Sequence, residues 1–241
     1  MKLKICHLYP DVLNLYGDGG NILCLKRRLE WRGIDCEIRK APIGDSRALA
    51  DCDLVFVGGG QDFEQCVLLE DLRRDKAREI CAAVRDGVTF LAICGGFQLL
   101  GNSYQTRDGM SCDFAGALDY HTVGTKERMI GNYRFQCTPE AGGSVIVGFE
   151  NHSGKTYLGA GVAPLGTVLS GHGNNGEDGT EGVHALNVFG SYSHGPMLPK
   201  NPAFADLLLK TALERRYGTV ELTPLDDEAE LAAHIAMDDR R

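Results

Sequence analysis

A strand-like run that ends directly in a cysteine and two glycines is where chemistry concentrates in this chain. Val88-Thr89-Phe90-Leu91-Ala92-Ile93-Cys94-Gly95-Gly96-Phe97-Gln98-Leu99-Leu100-Gly101 passes from a continuous apolar stretch into a short helical pattern, with no loop residues between. That demands a sharp turn with Cys94 at its apex, and small residues after it leave room where the backbone is crowded. Such a turn exposes the sulfur at the carboxyl end of a sheet, where open α/β folds place their sites. It also sets the sulfur at a helix N-terminus, whose dipole favours the thiolate that acts as nucleophile. Cys94 is therefore the candidate nucleophile. The other eight cysteines, such as Cys81 in an Ile-Cys-Ala-Ala-Val run and Cys137 after Tyr-Arg-Phe-Gln, read as small buried hydrophobes.

Attack on an acyl carbon needs donors for the oxyanion that forms. The amide of Gly95 is one by position. A second belongs at the end of a neighbouring strand, and Val57-Gly58-Gly59-Gly60-Gln61-Asp62 supplies a glycine loop there. Three successive glycines exceed what a turn requires and let amides face a ligand. Residue order does not single out one of the three; Gly58 and Gly59 stand with Gly95 as the expected donors. A proton shuttle must come from seven histidines. His194, in Phe189-Gly-Ser-Tyr-Ser-His194-Gly195-Pro196, ends an apolar stretch just before the last long helix and is the mildly favoured choice. His152, in Glu150-Asn151-His152-Ser153, is its main competitor.

The surrounding elements must hold these groups together. Residues 4–8, 34–39, 53–57 and 88–93 read as strands, with helices over about 21–33 and 63–86 between them. Strands alternating with helices predict an α/β fold with a doubly wound, mainly parallel sheet. Between Gly142 and Gly182 twelve glycines punctuate short apolar runs, which predicts antiparallel strands and tight turns added to that sheet. A helix follows over 203–217, and an acidic, weakly amphipathic tail begins at about Pro224. No linker is long enough to divide residues 1–241, so one domain is expected.

Composition narrows the function classes. There are 31 glycines, but Pro numbers only 8 and hydrophobic residues reach 43%, ample to offset chain entropy. Aromatics at 7% and a net charge of −8 argue against a nucleic-acid surface, which needs clustered cations and stacking platforms. The nine cysteines are spaced too widely for zinc or redox pairs, and no 18-residue apolar stretch occurs. The chain is thus expected to be cytoplasmic and not membrane-spanning. Gly148-Phe-Glu-Asn-His-Ser-Gly154-Lys155-Thr156 has one residue too many for a P-loop, and Gly171-His-Gly173-Asn-Asn-Gly176 runs into a turn instead of a helix, so neither reads as a nucleotide site.

The segment Ala92-Ile-Cys94-Gly-Gly-Phe-Gln98-Leu-Leu-Gly101 resembles the nucleophile signature of the class I, triad-type glutamine amidotransferases, and Gly58-Gly-Gly-Gln-Asp62 resembles their oxyanion motif. Where that family has His-Pro-Glu, this chain has His194-Gly195-Pro196, which resembles the cobyric acid synthase-like branch. Within the branch, Leu8-Tyr-Pro-Asp-Val-Leu-Asn-Leu-Tyr-Gly17-Asp18-Gly-Gly-Asn21, Arg128-x-x-Gly131-Asn132 and Gly148-Phe-Glu-Asn-His152 are similar to the glutaminase subunits of lipid II isoglutaminyl synthases. The resemblance implies a flavodoxin-like amidotransferase fold in which Cys94 attacks the side-chain amide of L-glutamine and His194 moves the proton. It implies Arg128 and Gln98 as substrate contacts, Arg128 by pairing with the α-carboxylate. It further implies no cofactor in this chain. Ammonia would pass to a Mur ligase-type partner (MurT) that uses ATP and Mg to amidate the D-glutamate of lipid II to D-isoglutamine. Other readings are an ammonia source for cobyrinate or another acceptor, and a non-hydrolytic redox or chaperone thiol protein. No carboxylate stands two residues after His194 to orient its ring, which leaves a Cys-His dyad or an acid from elsewhere, expected from the partner.

Overall fold

A computed structural model describes residues 1–60 and 62–238, apart from the side chains of 62–66 and 238. Gln61 of the glycine-loop motif therefore lies outside the described residues, as do the side chains of Asp62 and Cys66. The order of elements is β1 (Lys2–Leu8), α1 (Gly19–Glu30), β2 (Asp35–Ala41), β3 (Leu54–Val57), α2 (Asp62–Asp71), a π-turn (Leu72–Lys76), α3 (Ala77–Arg85), β4 (Thr89–Ile93) and α4 (Gly95–Leu100). Then follow β5 (Ser103–Gln105), β6 (Ser111–Asp113), β7 (Tyr120–Cys137), β8 (Val145–Leu158), β9 (Gly166–Ser170), β10 (Thr180–Glu181), β11 (Val183–Ala185), β12 (Val188–Ser191), α5 (Pro202–Tyr217) and α6 (Glu228–Asp238).

The first sheet has the order β11-β12-β4-β3-β1-β2, all parallel except the short edge strand β11. Its central strands β3 and β4 are apolar except for Thr89 and buried along their length, as strands covered on both faces must be. The chain leaves β1 toward β2 on one side and returns to β3 on the other. The carboxyl ends of β1 and β3 therefore diverge and open a crevice, the switch point where such sheets bind ligands. Asp18 follows β1, the glycine loop follows β3, Cys94 follows β4 and His194 follows β12, so four distant segments meet at that edge.

The glycine-punctuated region departs from expectation in two ways. Its strands form a second six-stranded sheet instead of extending the first, with β10-β9-β7-β5-β6 in order and β8 paired to β7. The apolar runs around residues 145–150 and 156–158, expected as separate short strands, are one strand of 14 residues; the glycines inside it are sites of close approach, not turns. At Gly148 a Cβ would meet Ser193 Oγ at 1.9 Å, and at Gly154 it would meet Gln98 Nε2 at 2.5 Å. The extended path of β8 also removes any basis for a P-loop at Gly148–Thr156.

Buried Glu181 ties the two sheets together just before His194 in the chain. Its Oε1 accepts from Tyr133 Oη (3.1 Å) on β7 and from Ser191 Oγ (2.8 Å) and the Tyr192 amide (2.9 Å) at the end of β12. On the other side of the first sheet, buried Arg28 of α1 pairs with Asp206 of α5 (2.7 Å) and Asp227 (2.5 Å), which anchors the start of the acidic tail. Leu231 and Ile235 on α6 stay exposed. Cys6, Cys52, Cys112 and Cys137 are buried as expected, but Cys24, Cys36 and Cys81 are only half-buried. No helix among the described residues is long and apolar enough to cross a membrane.

Candidate active site

Cys94 sits at the apex of the β4–α4 turn with φ +48° and ψ −106°, backbone strain of the kind that a nucleophile elbow stores. Its amide donates to Ser191 O (2.8 Å), which pins the elbow to the adjoining strand β12. Gly96 is required at the turn: its amide donates to Gly58 O (3.1 Å), and a Cβ there would lie 2.6 Å from Val57 O and 2.7 Å from Gly58 O.

His194 follows β12 and is fully buried. Its amide donates to Phe149 O (2.8 Å), a bridge that fixes it to β8. Its Nδ1 faces both carboxylate oxygens of Asp18, each 3.4 Å away, and its Nε2 is buried and forms no hydrogen bond of ordinary length among the described residues. Burial opposes a charged imidazole, but the nearby Cys94 and Asp18 outweigh it and push the His194 pKa up to about 10. At neutral pH the His194 ring is therefore held as imidazolium. The carboxylate that orients the ring comes from this chain's own opening motif, not from outside it. That motif fits the altered His-Gly-Pro sequence. Gly20 admits Pro196, whose Cγ would lie 2.5 Å from a Cβ, and Asn21 Oδ1 accepts the Leu198 amide (3.0 Å). The start of α1 thus docks on the residues after His194 and brings Asp18 to Nδ1.

The glycine loop divides its tasks differently from the sequence expectation. The Gly59 amide donates to Asp18 Oδ2 (2.7 Å), so it is committed to the acid and cannot serve the oxyanion. A Cβ on Gly59 would lie 2.5 Å from His194 Cε1, and one on Gly58 would lie 2.4 Å from Leu13 O. These two glycines make space. Gly60 lines the cavity beside Cys94, and neither its amide nor that of Gly95 has a partner among the described residues. Gly60 and Gly95 therefore have amides available to a ligand near the sulfur, and the Gly58 amide likewise has no partner among the described residues.

That cavity, about 240 Å³, is bordered by Cys94, Gly60, Gln98, Arg128, Asn151 and His152. Arg128 stands where β7 and β8 lose register between Gly124 and Met129, an irregularity that re-aims its side chain. Buried Gln98 donates from Nε2 to Tyr192 Oη (3.0 Å), which also shares a hydrogen bond with Thr156 Oγ1 (2.6 Å). His152 lies against Tyr192 with ring centroids 3.6 Å apart and hydrogen-bonds Gly154 O through Nδ1 (2.8 Å). Its Nε2 is aimed at Glu150 Oε2, 3.9 Å away. His152 is a wall of the cavity, not the partner of Cys94.

Residues 4–202 match the family model of the CobB/CobQ-like glutamine amidotransferase domain. The chain belongs to that family of glutamine amidotransferases. The amidotransferase is 40% identical over 239 residues to the lipid II isoglutaminyl synthase (glutamine-hydrolyzing) subunit GatD of Staphylococcus aureus, covering 99% of this chain and 96% of that protein. It is 42% identical over 228 residues to the subunit of the same name from Streptococcus pneumoniae, covering 94% and 86%. Among solved structures, PurLQS from Thermotoga maritima matches with a TM-score of 0.60 at 18% identity, over 89% of this chain and 99% of that one, a likeness of fold. The doubly wound fold and the family resemblance expected from the sequence are both borne out.

The structure brings Cys94, Gln98 and Arg128 of the amidotransferase to one cavity, with Gly95 adjoining Cys94 in the chain and buried His194 close to Cys94. It adds two groups that residue order did not assign. Asp18 stood inside the opening motif with no role, and its only signal was an acid followed by Gly-Gly at a helix start. Glu181 gave no signal at all, because its burial depends on the meeting of two sheets.

Proposed function

We propose that this amidotransferase hydrolyses L-glutamine to glutamate and ammonia and delivers the ammonia to a Mur ligase-type partner (MurT). The arrangement that carries this reading is the strained Cys94 apex beside buried His194, with Gly60 lining the same cavity and Gly95 adjoining the sulfur-bearing residue. The Cys94 thiolate attacks the side-chain amide carbon of glutamine, and the oxyanion is met by the Gly95 and Gly60 amides. The His194 imidazolium gives its proton to the leaving nitrogen, ammonia departs, and a glutamyl thioester remains. Water then attacks the thioester while neutral His194 takes its proton. Glutamate leaves, and Cys94 and His194 return to their starting state. Asp18 holds the imidazole with Nε2 directed to the reaction and stabilises the cation that forms. Arg128 pairs with the α-carboxylate, and Gln98 lines the side-chain channel.

The likeness to the two GatD subunits supports the acceptor: the D-glutamate of lipid II, amidated to D-isoglutamine in the cytoplasm by a partner that supplies the ATP and Mg site. The test is affinity purification of the tagged chain from its host, followed by assay. A Mur ligase-type chain is expected to copurify, and amidated lipid II to form from glutamine only when ATP, Mg and both chains are present. Recovery without such a chain, or glutamine hydrolysis with no lipid II amidation by the complex, overturns the acceptor assignment.

A further inference from the structure

A line of three side chains joins the substrate arginine to the ring that covers His194. Arg128 Nε donates to Asn151 Oδ1 (2.6 Å), and Asn151 Nδ2 donates to Tyr16 Oη (2.5 Å). Arginine can only donate, so the Asn151 carboxamide has one orientation available, and its amino group must face Tyr16. The Tyr16 ring in turn meets His194 edge-on, with centroids 5.0 Å apart and planes at 72°. Tyr16 holds φ +52°, a conformation that side-chain-bearing residues rarely adopt, so contacts must impose it. Its segment is tied down on either side, by the Leu15 amide to Gly59 O (3.0 Å) and by Asp18 to the Gly59 amide (2.7 Å). Asn151 is half-buried on β8, two residues from Phe149, whose carbonyl accepts the His194 amide.

We infer that Asn151 and Tyr16 are positioning residues that couple capture of the substrate α-carboxylate to the placement of His194. This rests on the reading that Arg128 binds that carboxylate. With Nε held by Asn151, the two terminal amino groups of Arg128 have no partner among the described residues and are free for bidentate pairing. A carboxylate seated there fixes the guanidinium plane, which fixes the Asn151 amide and, through the Tyr16 hydroxyl, the ring against His194. The site thereby favours amino acids with a free α-carboxylate over simple amides of the same length.

The test follows alkylation of Cys94 in the full-length chain, which needs no turnover. Two reagents are compared: 6-diazo-5-oxo-L-norleucine, a glutamine mimic carrying the α-carboxylate, and iodoacetamide, which lacks it. Tyr16→Phe and Asn151→Ala are expected to slow labelling by the mimic about tenfold, the worth of a charge-linked hydrogen bond, and to leave iodoacetamide within about twofold of wild type. Asn151→Asp should slow the mimic more than Asn151→Ala, because a fixed carboxylate competes for Arg128. Wild-type labelling by the mimic in both variants, or equal slowing of both reagents, overturns the coupling. Arg128→Ala separates the layers. If it is slow with the mimic while Tyr16→Phe and Asn151→Ala are not, only the coupling fails. If Arg128→Ala labels at the wild-type rate, the carboxylate reading fails and the coupling with it.

Discussion

Asp18 and His194 stand 176 residues apart in the chain, yet both carboxylate oxygens of Asp18 lie 3.4 Å from His194 Nδ1 with both side chains fully buried. Asp18 Oδ2 is held by the Gly59 amide, so the acid is oriented from behind by the same loop that leads to the cavity. Oriented acid, imidazole and thiol thus belong to three connections at one sheet edge, those after β1, β12 and β4.

Asp18→Asn is expected to lower kcat for glutamine hydrolysis by roughly 10²- to 10⁴-fold, the range seen when a triad acid loses its charge, with little change in KM. The same substitution should lower the His194 pKa from about 10, since one of the two groups that raise it loses its charge. Cys94→Ala should lower it as well. NMR titration of the imidazole reads both shifts. Full turnover in Asp18→Asn would reassign the orienting acid to the partner chain.

Cys94→Ser should reduce ammonia release at least about 10³-fold, and His194→Ala should match it, because members of one catalytic unit fail together. His152→Ala should keep measurable turnover, since His152 stacks on Tyr192 and bonds Gly154 O instead of reaching the sulfur. A stopped assay of ammonia from glutamine distinguishes these. The reverse order of His194 and His152 would exchange their roles.

Gly59→Ala tests space against donation. The new Cβ would sit 2.5 Å from His194 Cε1 and 3.0 Å from Asp18 Oδ2. The imidazole must move by about an ångström, which is expected to cost about 10²-fold in kcat. Because the clash strikes the acid–imidazole pair, the His194 pKa should shift in the variant. Activity lost with an unmoved imidazole titration would contradict this assignment.

Glu181 gives a stability signature in pH. Burial pushes its pKa up to about 7, against the pull of its hydrogen bonds from Tyr192, Ser191 and Tyr133. A carboxyl whose folded pKa exceeds its unfolded value favours the folded state while protonated. That contribution is present below about pH 4.5 and is lost as pH rises through 7, an effect on the order of 3 kcal/mol. Urea unfolding at pH 5 and pH 8 should show wild type losing more stability across this range than Glu181→Gln. Parallel behaviour of the two proteins would place the buried charge elsewhere.

Much of the site was legible before any fold was known. The run into Cys94-Gly95-Gly96 dictates an elbow, because an apolar strand meeting two glycines leaves no room for another turn. The alternation of residues 1–100 likewise dictates a parallel sheet, since local periodicity is a property of neighbouring residues. The loop after β3 was identified, but its division of labour was not: Gly59 serves Asp18, while Gly60 faces the cavity. The long strand β8 was misread as short pieces because its internal glycines look like turns from sequence, whereas contacts with Ser193 and Gln98 are what require them.

By itself, the sequence determined the fold class, the family and the elbow that carries the candidate nucleophile, since each is written in contiguous residues whose spacing constrains the backbone locally. Tertiary structure decided which acid faces His194, which glycine amide that acid takes up, and that Arg128, Asn151 and Tyr16 form one line. Those outcomes depend on how β1, β3, β4 and β12 converge and on where the second sheet lies against the first. A hydrogen bond across 176 residues of chain is set by that packing, and no local pattern in the sequence encodes it.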